Sequence, residues 1–230
     1  MAYGVSYGIR RKLVKVPPPA RLSRDRILAE AVRLADRDGL EAVTMRRLGQ
    51  ALGVEAMSLY KHVANKDAIL DGLLERVLAE VHLPVPGGDW EAELRRAAGS
   101  LHDALTRHPW ACGLVMAPAS LPNALGARIL YIEALLRTLR EAGFTAAQAY
   151  HGYHALDSHT VGFTMWELGH QVPDTAVVEQ VIRQIESGTY PYLLEHAREH
   201  DADHPRSSFE FGLDLIFDGL RRLRDSGESP

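Results

Sequence analysis

Cysteine is nearly absent: Cys112 is the only one in 230 residues. One thiol can neither close an intrachain disulfide nor build a zinc site of ordinary spacing. A reducing cytoplasm fits that usage. Long apolar runs are missing as well. No stretch approaches the roughly 18 residues that cross a bilayer, and the N-terminal residues carry no apolar signal-peptide core. No membrane partner is therefore expected. Sustained apolar/polar alternation is also lacking, which argues for an all-α protein. There is no nucleophile elbow, phosphate loop or paired metal motif. An enzyme is not expected, and neither a cofactor nor a metal is implied. Lysine is scarce too, and Lys12, Lys15, Lys61 and Lys66 all precede residue 67.

What is present is a charge asymmetry behind the net charge of −4. Residues 1–66 carry 13 Lys and Arg against 6 Asp and Glu, whereas residues 67–230 carry 13 against 24. A basic head on an acidic body suits nucleic-acid binding by the head alone. At 46% hydrophobic residues the chain can bury a sizeable core.

Thr44 to Asp67 reads as two short helices joined by a tight turn, then a third helix start. Thr44 is a natural N-cap, and Leu48, Ala51 and Leu52 follow at helical spacing. Gly53 supplies the turn. In the second helix Leu59 and Val63 face inward, which leaves Ala56, Met57, Ser58, Lys61 and His62 outward. A helix-turn-helix puts such an outward face in the DNA major groove. Arg46 and Lys61 are long enough to read guanine O6 and N7, while Ala56 and Met57 can only touch a thymine methyl. Arg47 joins the DNA-facing set.

The organisation around this motif is helical. Residues 1–22 form a basic arm, stiffened at Pro17-Pro18-Pro19. Residues 23–66 form the DNA-binding head, with Ser23 capping its first helix, Leu22 stapling on Ile27, and Gly39 ending it. Asn65 caps a linker helix over 65–82 with an apolar stripe from Ile69 to Val81. Residues 83–230 form the body. One of its helices begins at Asp89 and runs to about His108, another runs to about Ala142 and stops at Gly143, and others begin at Thr145 with a Gln148 capping box, after Pro173, and at Ser207. Phe209, Leu213, Ile216, Phe217, Leu220 and Leu223 share one side of the last helix. Gly212 and Gly219 allow a close neighbour.

The segment LEAVTMRRLGQALGVEAMSLYKHVANKDAILDGL (40–73) resembles the DNA-binding domain of TetR-family repressors. FGLDLIFDGLRRL (211–223), GFTAAQAY (143–150) and His82 make the body similar to the tetracycline-repressor branch of that family. The resemblance implies a homodimer on double-stranded operator DNA. Two three-helix heads would sit on a body closed by a four-helix bundle of the Thr145 helix and the last helix. A small-molecule effector would move the linker helix and release the operator. It places Thr44, Tyr60, His62 and Lys66 at phosphate contacts, and His82 at a ligand contact. Ala97, Leu101, Val115, Pro118 and Leu135 stand at other ligand positions. Val115 replaces a magnesium-binding histidine, which argues against both tetracycline and a bound metal. A hydrophobic or aromatic effector is expected instead.

The ligand set is then His82, Leu101, Val115, Met116, Leu135, His154 and Asp157. The dimer set is Phe209, Leu213, Ile216 and Leu220. His151, His154, Asp157 and His159 cluster on one helix, but His159 lies on a different face from His154, so pocket or interface histidines are the simpler reading. His196, His200 and His204 read as surface residues, and Trp90, Trp110 and Trp166 as core or rim. Two other functions compete with an effector-released repressor. One is a DNA-binding protein without an effector. The other is a small helical metal-dependent enzyme built on the histidines.

Overall fold

The computed structural model describes residues 21–116, 125–170, 180, 183–186, 188–200 and 207–226. The basic arm up to residue 20, Pro118, the start after Pro173 and the acidic stretch at 201–206 lie outside them. Among the described residues every regular element is helical.

The head begins with α1, Arg24–Asp38, whose N-cap Ser23 accepts from the Arg26 N–H. Gly39, at φ 81°, turns the chain out of the helix. A short 3-10 turn over Leu40–Ala42 leads to α2, Met45–Leu52, where the Thr44 hydroxyl accepts from the Arg47 N–H. Gly53 then adopts the left-handed conformation at φ 69°, and α3 follows as Ala56–Leu59. The expected buried trio of α2 needs one correction. Leu48 and Leu52 are buried, but Ala51 is exposed and Gly49 takes the inner place. A Cβ on Gly49 would lie 2.8 Å from the Val54 carbonyl oxygen. The α2–α3 crossing is closer than any side chain there permits.

The joining helix α4 spans Lys66–Leu78, capped by Asn65 onto the Ala68 N–H. It is shorter than the stripe suggests: the Glu80 and Val81 N–H groups bond only three residues back, and the His82 N–H goes to Ser100 Oγ at 2.8 Å. Its first part completes the head core with Ile27, Leu28, Leu34, Leu48 and Leu59. Its last turns, from Leu74 to Leu78, enter the body core.

The body contains α5 (Trp90–Arg107), α6 (Ala111–Met116), α7 (Leu125–Glu141), α8 (Ala146–Gly169), α9 (Pro191–His200) and α10 (Ser208–Ser226). Asp89 caps α5 and Thr145 caps α8 with the reciprocal Gln148 bond. Helix α8 packs against α5, α7 and α10. Trp90 meets Phe144 and Phe217 in this core.

The last helix corrects the expected dimer face. Phe209, Leu213 and Leu220 are buried inside the single chain, Leu213 at 1% exposure, and Ile216 is half-buried against the same core. Helix α10 packs this side on α8, where a Cβ on Gly152 would approach Leu220 Cδ2 to 3.0 Å. The apolar residues that α10 leaves exposed are Phe211 and Leu215.

Candidate nucleic-acid interface and body cavity

The head presents its outward residues on short, well-capped helices. Met57 is 75% exposed. Arg46, Tyr60, Lys61, His62 and Lys66 are exposed beside it, with Ala56 and Ser58 half-covered. Leu59 and Val63 are buried beneath them and hold the α3 turn in place. Thr44 is exposed while capping α2, which leaves its hydroxyl hydrogen free to donate. Lys66 occupies the first position of α4, where unbonded N–H groups favour an anion. Arg47 differs from the rest: it is ion-paired to Asp38 at the end of α1. An exposed pair of that kind is weak and competes little with a phosphate.

The body holds a narrow cavity of about 10 Å³, the scale of a single water. Five helices line it: Leu74 and Leu78 from α4, Leu101 from α5, Val115 from α6, Arg128, Tyr131 and Ile132 from α7, and Tyr153 and Asp157 from α8. Of the expected ligand set, Leu101, Val115 and Asp157 line this cavity. The other expected ligand residues are elsewhere. Leu135 is core. Met116 is exposed at the end of α6, and His154 is exposed and donates Nδ1–H to the Tyr150 carbonyl. His82 stands between α4 and α5, with Nε2 2.7 Å from Glu93 Oε2.

Sequence reasoning misses Arg128, Tyr131 and Tyr153. Their only local signal is polar atoms within apolar helical stretches. They give the cavity one polar end. The Tyr131 hydroxyl, on a residue 5% exposed, makes no hydrogen bond among the described residues. Burial pushes its pKa well up, helped by Asp157 and Tyr153. Burial likewise pushes the Tyr153 hydroxyl up to about 12. The Asp157 carboxyl is raised by burial, against the opposing charge of Arg128.

Glu93 behaves oppositely. The Val85 N–H, then His82 and Arg96, hold its carboxyl down at about 2. That cluster fixes the turn between joining helix and body. The histidines of α8 form no metal set: among the described residues no group of three or more potential ligands converges. His159 instead packs flat on Phe209 and bonds its carbonyl, and it fills the space beside Gly212, whereas Gly219 faces open space.

Residues 27–73 match the family described as bacterial regulatory proteins, tetR family. Residues 83–224 match the tetracyclin repressor-like C-terminal domain. The chain belongs to the TetR family. An HTH-type transcriptional regulator from Saccharopolyspora erythraea is 36% identical over 84% of this chain and 76% of its own. The HTH-type transcriptional repressor DrrR1 of Streptomyces coeruleorubidus is 31% identical over 90% and 80%. Among solved structures, ActR of Streptomyces coelicolor in complex with actinorhodin superposes with a TM-score of 0.71 at 28% identity, covering 88% of this chain and 98% of ActR. This TetR-family chain is a transcriptional repressor, not an enzyme, with a helix-turn-helix head and a ligand-binding type of body. Proteins of the family bind operator DNA and ligands and dimerise. No described helix is long and apolar enough to cross a membrane.

Proposed function

We propose that the chain binds a palindromic double-stranded operator in the cytoplasm as a homodimer and is released by a small, largely apolar effector. One observation carries the effector part. The helix that starts at the head with Lys66 ends in the body with Leu74 and Leu78 on the cavity wall. A molecule that widens the cavity pushes on that helix. Its walls ask for an apolar ligand, and the polar end of Arg128, Tyr131 and Asp157 asks for one or two polar groups on it. The Tyr131 hydroxyl on the cavity wall can donate to or accept from such a group. No metal is needed for this binding.

The homodimer rests on the apolar side chains left uncovered on two packed helices: Tyr150 and Met165 on α8, Phe211 and Leu215 on α10. Two such faces apposed form the four-helix closure. The heads then reach two half-sites about 34–36 Å apart or more.

The narrowness of the cavity favours a second reading, a repressor with a filled body and no effector. Titration separates the two. Compounds are screened for release of the protein from the duplex it selects from a random library, and any hit is titrated with and without that duplex. Under the leading reading the duplex weakens the compound's binding by the factor by which the compound weakens DNA binding. A compound bound equally well in both cases exerts no control.

A further inference from the structure

Head and body are joined by more than α4. At the end of α1, Asp36 Oδ1 accepts from the Trp110 indole N–H at 2.7 Å. The same oxygen lies 2.7 Å from His108 Nδ1. His108 is 9% exposed, and its Nε2 lies 3.3 Å from Glu80 Oε1, just past the end of α4. Arg107 holds the other Glu80 oxygen at 2.8 Å. Trp110 packs against both hydrophobic cores, as does Leu40. One carboxylate of the head is thus gripped by two donors on the turn between α5 and α6. That turn runs straight into α6, whose Val115 lines the cavity.

We propose that Asp36, His108 and Trp110 form a clip that carries movement of the cavity wall to the DNA-reading head, in parallel with α4. The inference rests on the reading of the cavity as an effector site. The physics is that of two ties on one rigid body. Helix α4 alone would let the head swivel about its axis. A second tie, at the far end of α1, removes that freedom. Displacing Val115 then moves α6, the Trp110–His108 turn and Asp36 together. Charge-assisted bonds are short and directional, which suits them to transmit a displacement instead of absorbing it. Asp36, His108 and Trp110 are positioning residues, since no DNA or ligand contact is assigned to them.

Two measurements test the clip. The chain has three tryptophans, so three indole N–H signals are expected in a nitrogen-correlated NMR spectrum, and Trp110→Phe assigns one of them. Asp36→Ala should shift that signal and speed its exchange with solvent about tenfold or more, as loss of one charged hydrogen bond implies. Asp36→Asn, which keeps an acceptor oxygen, should restore part of the protection. An unmoved signal in Asp36→Ala overturns the clip.

The second measurement needs no effector. Spin labels are placed on the head at Arg33 and on the body at Glu133, in the Cys112→Ala protein diluted with unlabelled copies. Val115→Phe serves as a wedge in the cavity, with Leu101→Phe as a second wedge should the first fail to fold. The wedge should shift the head–body distance when the clip is intact, and by clearly less when Asp36→Ala or Trp110→Phe breaks it and leaves α4 alone. An equal shift with and without the clip overturns the relay while leaving the cavity reading intact. No shift even with the clip intact overturns the cavity reading, and the relay with it.

Discussion

Head and body solve opposite problems with the same secondary structure. The head puts its functional side chains outside and uses a small core, from Ile27 to Leu73, only to hold them still. The body turns its functional side chains inward, onto a cavity shared by five helices. A surface reader can be built from local signals, since a cap, a turn glycine and two apolar anchors suffice. A cavity requires agreement among residues far apart in the chain. The head should therefore tolerate loss of any single outward residue as a fold, while the body should not tolerate a charge at an inward one.

The sharpest test of that contrast lies within α10. Leu213 is 1% exposed in the single chain and Leu215 is 59% exposed. Leu213→Asp buries an unpaired charge and should cost on the order of 4–5 kcal/mol, read as loss of cooperative thermal unfolding. Leu215→Asp should keep the helical signal and yield monomers in sedimentation. An intact dimer for Leu215→Asp would place the interface on another face.

Next in size is Gly49→Val. The added side chain must push the Val54 carbonyl away, so the α2–α3 crossing should open at a cost of about 1–3 kcal/mol. DNA binding should vanish in a mobility-shift assay while the body still dimerises. Retained binding would show that the turn is looser than its geometry.

Smaller effects belong to the reading face. Lys66→Ala should weaken all duplexes alike and lower the salt slope by about 1. Lys61→Ala and Arg46→Ala should also change base preference, each by about 1–3 kcal/mol at one position. Identical behaviour of all three on every duplex variant would contradict the division between phosphate and base contacts.

The turn at Glu93 should respond to acid. Its carboxyl sits at about 2 against an ordinary 4.5, so the fold stabilises its ionised form. That contribution is full above the ordinary value and is lost as pH falls toward 2. Thermal melts of wild type and Glu93→Gln should differ at neutral pH and converge in acid. A constant gap would assign the effect to something other than ionisation.

The smallest effect is expected at Tyr131→Phe. Removing a hydroxyl without a partner should leave stability within about 1 kcal/mol of wild type. A loss well beyond that would mean the hydroxyl is bonded after all.

Much of this molecule is legible in its amino-acid sequence. Ser23, Thr44, Asn65, Asp89 and Thr145 each cap the helix their neighbours suggest. Leu59 and Val63 are buried beneath an outward Met57 and Lys61. Other features are not legible there. Helix α10 is apolar on two sides, and periodicity does not say which side its own chain covers. His82 is expected at a ligand, but Glu93, eleven residues later, holds it.

The division follows the range of the interactions. Helix starts, the helix-turn-helix and the charged head were determined by the sequence itself, because a cap or a turn is settled among residues three or four apart. The tertiary structure alone decided which leucines of α10 face inward, which side chains meet in the cavity, and that Asp36 meets Trp110 across 74 residues. Those choices depend on how whole helices pack, and packing is a property of their shapes together rather than of any one segment.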